Sequence, residues 1–130
     1  MSRDIQVVAA EILRDGRYLI AQRLGTGMLP DVWEFPGGRV HDGQTEEDAL
    51  REALRARLGV DATVGERVLE VVHSHADHIV SLAVYRCTLG DQEPHAQRVA
   101  GLAWVLPDEL VHYPFAPADQ RAVDAMISDN

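Results

Sequence analysis

The chain has one cysteine, Cys87, in 130 residues. That excludes an intrachain disulfide and a zinc site built from cysteines, and a reducing compartment suits it best. Positive charge is also scarce: 12 basic residues stand against 21 acidic ones, for a formal net charge of −9. A chain of that sign does not track a nucleic-acid backbone, although a few arginines can still line a pocket for a small anion. No apolar run approaches the ~20 residues that span a bilayer, and no leader-like segment precedes Ile5. Repeats, low-complexity tracts and linkers are missing as well. The expectation is one cytoplasmic domain over residues 1–130, with neither a membrane nor a nucleic-acid polymer as partner.

Hydrophobic residues make up 46% of the chain, enough for a core with a sheet and a few helices. "IQVVAAEIL" (5–13) and "YLIAQR" (18–23) read as strands joined by an Asp15-Gly16 turn, a good hairpin signal. Glycines and proline make 24–31 a loop. "VWEF" (32–35) is a short strand, broken by "PGG" and resumed as "RV". Further on, 63–75, 79–89 and 99–105 have strand character, with "ADH" joining the first two. "PDELVHY" (107–113) and "PADQRAVDAMI" (117–127) open with proline, which suits the first turn of a helix. This order of elements predicts an α/β chain, a mixed sheet with helices on its two faces.

The most informative stretch is "GGRVHDGQTEEDALREALRARLGV" (37–60). Its paired glycines lead through a short loop into a helix. Thr45 is the N-cap candidate, with Asp48 in the capping-box position. Leu50, Leu54 and Leu58 recur at i, i+4 and i+8 as a buried stripe, and Gly59 supplies the stop. Glu46, Glu47 and Asp48 favour the positive end of the helix dipole, and Glu47 or Asp48 can pair with Arg51 one turn on.

Six pieces in order, "VVAAEILRDGRYLIAQR", "WEFPGG", "GRVHDGQT", "LGV", "LAWVLPDEL" and "YPFAPAD", resemble the Nudix superfamily, most closely its MutT-like branch of nucleoside triphosphate pyrophosphohydrolases. The resemblance implies a Nudix-type α/β/α sandwich with a mixed sheet. It also implies a reaction in which water attacks a phosphorus of a nucleoside diphosphate linked to a further group. Mg²⁺ held by glutamates of the box G-x5-E-x7-R-E-U-x-E-E-x-G-U (U, bulky aliphatic) would assist it.

Carried over position by position, the box is degenerate. Its lead glycine is Gly38, and its closing pair is Gly59 and Val60. The first glutamate falls on Gln44, the arginine on Glu52 and the next glutamate on Ala53. The double glutamate becomes Ala56 and Arg57. Sliding the register by one residue, to use Arg51 and Glu52, puts the double glutamate on Arg55 and Ala56 and restores nothing. A further family glutamate, from the loop before the last strand, lands near Arg98. No cofactor is therefore expected at the box helix.

The resemblance places Arg23, Gly37, Gly38 and Arg39 at a phosphate-handling cleft. Arg57, in a ligand position, could contact phosphate oxygens directly, or be a surface charge at a helix C-terminus. Asp119 matches a base-reading position and could equally serve its own helix as a first-turn acid. Phe35 is a candidate stacking wall. These residues point to a small phosphorylated ligand, a nucleotide or another phosphorylated metabolite, bound with little or no hydrolysis. The alternative is an active pyrophosphohydrolase that uses Mg²⁺ or Mn²⁺ through displaced acids, Glu34 or Glu52, or through histidines. His73 and His75 alternate on a strand and, with Asp77 and His78 nearby, could hold a metal, or simply be hydrogen-bonded polar residues. His41 and His95 read as loop residues, and Trp33, Trp104 and Pro36 as core. A dimer is compatible with all of this.

Overall fold

The computed structural model describes residues 3–25 and 31–128. Among the described residues, seven strands and two α-helices follow in the order β1 (Arg3–Arg14), β2 (Arg17–Gln22), β3 (Trp33–Glu34), β4 (Gly37–Arg39), α1 (Glu46–Leu58), β5 (Thr63–His75), β6 (His78–Thr88), β7 (Gly101–Val105) and α2 (Pro117–Ser128). A 3-10 helix, Pro107–His112, lies between β7 and α2. The strands run β3-β2-β1-β6-β5, with β4 also on β1 and β7 also on β2. β1 and β6 are parallel and the other named pairs antiparallel, so the sheet is mixed.

The two faces follow from alternation along β1. Val8, Ala10 and Ile12 point to one side, where they pack with Leu50, Leu54 and Leu58 of α1. Ala9 points to the other, into a core shared with Phe35, Val84, Phe115, Ala122 and Val123 of α2. Period-2 strands between two amphipathic helices give two cores on one sheet. All three α1 leucines are 0% exposed, and each contributes about 1.5–3 kcal/mol by leaving water. Cys87 is buried in the α1-side core, and burial pushes its thiol up to about 11, so it is no nucleophile at neutral pH.

The ends of α1 form as expected. Thr45 Oγ1 accepts from Asp48 N at 3.1 Å, and Gly59 closes the helix in the left-handed region, φ 70°. The Arg51 fork goes to Asp48, at 3.0 Å.

Three expectations change. Gly37 and Gly38 do not interrupt the sheet; they pair with Ala9 and Val8 as part of β4. Glycine was read as a breaker, yet Gly37 takes only glycine because the chains approach closely. A Cβ on Gly37 would lie 1.9 Å from the Val8 carbonyl oxygen. Segment 107–113 is a 3-10 turn rather than an α-helix, since Pro114 disfavours helical backbone at Tyr113 and leaves too few residues. The tryptophans sit at the margins of the cores: Trp33 packs edge-on against Tyr113 at 5.2 Å, and Arg14 lies over the Trp104 ring at 5.0 Å. Of the 24–31 loop, residues 26–30 lie outside the described residues.

Candidate functional site

The close approach of β4 to β1 brings the paired glycines against the inner turns of α1. A Cβ on Gly38 would meet Ala53 Cβ at 3.1 Å and Arg57 Nη2 at 3.6 Å. A cleft of about 220 Å³ opens there, with Gly38, Arg39 and His41 on one wall and Glu52, Ala53, Ala56 and Arg57 on the other. Gln44, Ala49 and Arg98 complete the lining. The cleft is smaller than the ~300–1,000 Å³ of sites that engulf whole drug-sized ligands, and suits a phosphate-sized group.

The position of Arg98 comes from backbone bonding. The segment after Pro94 supplies the main-chain donors that α1 lacks at its end: His95 N to Leu58 O at 2.9 Å, Gln97 N to Arg57 O at 3.0 Å and Arg98 N to Arg57 O at 3.2 Å. Unsatisfied carbonyls of a helix C-terminus need such partners. The bonds make Arg57 and Arg98 neighbours although 41 residues separate them in sequence.

Glu34 is the second focus. It is 8% exposed, and its Oε1 accepts from Arg23 Nε at 2.7 Å. Its Oε2 lies 3.5 Å from Arg57 Nη1. Two guanidiniums therefore hold one buried carboxylate, the pairing a charge needs when it leaves water. Next to it, Phe35 N donates to Asp119 Oδ2 at 3.0 Å. Burial first, then the charge of Glu34, pushes the Asp119 carboxyl up to about 7. The Phe35 ring is 2% exposed and stacks on Phe115 at 5.8 Å, so it offers no face to a ligand in this conformation and is a core residue rather than a stacking wall.

Glu52 is engaged with Gln44. Gln44 Oε1 accepts from His41 N at 3.0 Å, while its Nε2 donates to Glu52 Oε2, also at 3.0 Å. The amide suits this place because a glutamate at 44 would set a second carboxylate against Glu52. His73 lies away from the cleft on β5, where Arg121 Nε donates to its Nδ1 at 3.0 Å; that nitrogen is thereby occupied as an acceptor. The His75 side chain lies outside the described residues. Among the described residues no three of His, Cys, Asp and Glu gather as a metal-ligand group.

Mg²⁺ asks for hard oxygen donors, typically one or two carboxylates with phosphate and water. At the family's positions this chain offers Gln44, Ala53, Ala56 and Arg57, and the cleft's one acid is Glu52. Two methyls and a guanidinium do not fit the ion. Of the residues expected at the cleft, Gly38, Arg39 and Arg57 line it, Gly37 pairs with Ala9 in β4, and Arg23 meets Arg57 through Glu34; His41, taken as plain loop, also lines it, and no sequence signal brought Arg98 alongside Arg57. A second cleft, of about 250 Å³, lies on the α2 side and includes Glu11 and Arg86, which pair with each other at 3.2 Å.

Comparison with known proteins agrees with this architecture. A model of the NUDIX domain matches residues 7–125. The chain is 38% identical over 132 residues to a CTP pyrophosphohydrolase of Escherichia coli K12, covering 95% of this chain and 92% of that one. It is 38% identical over 117 residues to a putative 8-oxo-dGTP diphosphatase of Mycobacterium tuberculosis H37Rv, covering 88% and 82%. Among solved structures it is similar to a MutT protein of the Nudix hydrolase family from methicillin-resistant Staphylococcus aureus 252, with a TM-score of 0.78, 37% identity and full coverage of both chains. A mixed sheet between two helical layers is thus shared with these relatives, and the chain belongs to the Nudix family, with MutT-like relatives.

Proposed function

We propose that this Nudix domain binds a nucleotide or another phosphorylated metabolite with little or no Mg²⁺-dependent hydrolysis. The observation that carries the reading is the Arg57 guanidinium, at a box-acid position and 3.5 Å from Glu34. Phosphoryl transfer depends mostly on positioning and charge stabilisation. Replacing a carboxylate array with alanines and an arginine removes the ion that would supply the charge, while Gly38, Arg39 and Arg57 still frame a cleft.

A second reading, an active pyrophosphohydrolase, draws support from the relatives, whose names are those of a CTP pyrophosphohydrolase and a putative 8-oxo-dGTP diphosphatase. Glu52, on the cleft wall, is the acid it would rely on.

One assay separates the two. The purified protein is incubated with a panel of nucleoside triphosphates and Mg²⁺ or Mn²⁺, and pyrophosphate release is followed beside melting temperature. The binding reading expects a rise in Tm with at least one nucleotide and no turnover. Turnover in the ordinary enzymatic range, about 1–10³ s⁻¹, would overturn it.

A further inference from the structure

The lining of the cleft is opposite in sign to the chain that builds it. Arg39, Arg57 and Arg98 face a single acid, Glu52, in a protein of formal net charge −9. Their commitments differ. Arg57 is partly neutralised by Glu34, whose other oxygen is taken by Arg23. Glu52 already accepts a hydrogen bond from Gln44. Arg39 and Arg98 are exposed, and neither makes a side-chain hydrogen bond or ion pair with any described residue. The Arg98 backbone is nonetheless anchored on Arg57 O at 3.2 Å, and Arg39 follows Gly38, whose Cβ position is 3.6 Å from Arg57 Nη2. Three guanidiniums therefore converge with too little negative charge among them. An arginine cannot relieve like-charge crowding by losing its proton, and the chain has no lysine to do so.

We infer that this cleft takes a diphosphate group directly on Arg39 and Arg98, beside Arg57, as the metal-free anion. The inference rests on the phosphate-binding reading above and deepens it in two ways: it adds Arg98 to Arg39 as the main anion contacts, and it sets the sign of the Mg²⁺ effect. Planar guanidinium forks bind phosphate oxygens bidentately. Mg²⁺ on the ligand would cover those same oxygens and bring two more positive charges to a lining that already carries a net two. The cation is a competitor here rather than a bridge.

The test is titration calorimetry with inorganic pyrophosphate, first in EDTA and then with excess Mg²⁺. Saturable binding is expected in EDTA, and weaker binding with Mg²⁺. Arg98→Glu and Arg39→Glu should each lose at least about tenfold in affinity, the scale of a charge-assisted hydrogen bond. Arg17→Glu, in the β1–β2 hairpin, changes net charge equally and should leave affinity within about twofold, as an exposed charge beyond a Debye length is screened. Binding that requires Mg²⁺, an unaltered Arg98→Glu, or an equal loss in Arg17→Glu would each overturn the inference. If a nucleotide still raises Tm in that case, the broader binding reading survives; if neither pyrophosphate nor any nucleotide binds, both fall.

Discussion

Arg57 Nη1 stands 3.5 Å from Glu34 Oε2, so a side chain of the box helix closes an ion pair across to β3. The other oxygen of Glu34 takes the Arg23 bond at 2.7 Å. The carboxylate side chain is 10% exposed and Arg57 39%, which sets what each partner contributes.

Arg57→Ala should cost less than about 1 kcal/mol, because a half-open pair is screened by solvent. Arg23→Ala should cost more, about 1–3 kcal/mol, since it removes a short bond to a charged, buried group. The double variant leaves Glu34 uncompensated and should lose more than the two single losses added together. Urea midpoints for the four proteins of the cycle measure this, and Glu34→Gln added to the double variant should recover part of the loss. Strict additivity would mean that Glu34 finds other partners.

Asp119 links stability to pH. Its carboxyl is pushed from the usual 3.8 up to about 7 in the folded protein, by burial and then by Glu34. The folded state therefore holds this proton where the unfolded chain has released it. The resulting stabilisation is fully present below about pH 4 and is lost as pH rises through about 7, after which it is flat. Asp119→Asn keeps an oxygen that can accept from Phe35 N and removes the titration. Urea unfolding at pH 5, 6.5 and 8 should show a decline in the parent protein that is shallower in this variant. Equal slopes would mean that the carboxyl is better solvated than its 7% exposure implies.

Gly37 and Gly38 should respond very differently to alanine. At Gly37 the new methyl meets the Val8 backbone oxygen at 1.9 Å, whereas at Gly38 it meets side chains, the Ala53 methyl at 3.1 Å and Arg57 Nη2 at 3.6 Å. Gly37→Ala should cost more than about 4 kcal/mol, in the range of exceptional substitutions, and yield little folded protein. Gly38→Ala should cost about 1–3 kcal/mol, as for mild overpacking. Soluble yield and denaturation midpoint distinguish the two. A well-folded Gly37→Ala protein would show that β4 can shift away from β1.

The box can be refilled. In the triple variant Ala53→Glu, Ala56→Glu and Arg57→Glu, carboxylates return to the wall facing Gly38, and Tm should rise with millimolar Mg²⁺ as ligand binding stabilises the fold. The parent protein without nucleotide should not respond. A triple variant equally indifferent to Mg²⁺ would mean that the cleft has changed in shape as well as in donors.

Local signals made much of this molecule legible. Thr45, the Leu50–Leu54–Leu58 stripe and Gly59 announce α1 because capping and helical periodicity are contained within a few residues. Strand character in residues 5–13 and 63–75 is legible for the same reason. What escaped is set by contacts between distant segments. Glycine carries no side-chain signal that separates a strand under close approach from a break, so β4 was read as interrupted. Glu34 has the sequence signature of any acid; its burial depends on guanidiniums 11 and 23 residues away. His73 was placed on a strand, but its partner Arg121 lies 48 residues on. Arg98 was found by position in the family pattern, whereas its place beside Arg57 comes from main-chain bonds that leave no trace in residue type.

Those main-chain bonds also restrict how the 93–98 loop can change. Surface loops ordinarily accept insertions and deletions at little cost. Here the amides of His95, Gln97 and Arg98 end on the carbonyls of Leu58 and Arg57, so adding or removing one residue would shift every amide off its acceptor and fray the last turn of α1. Length polymorphism is closed to this segment.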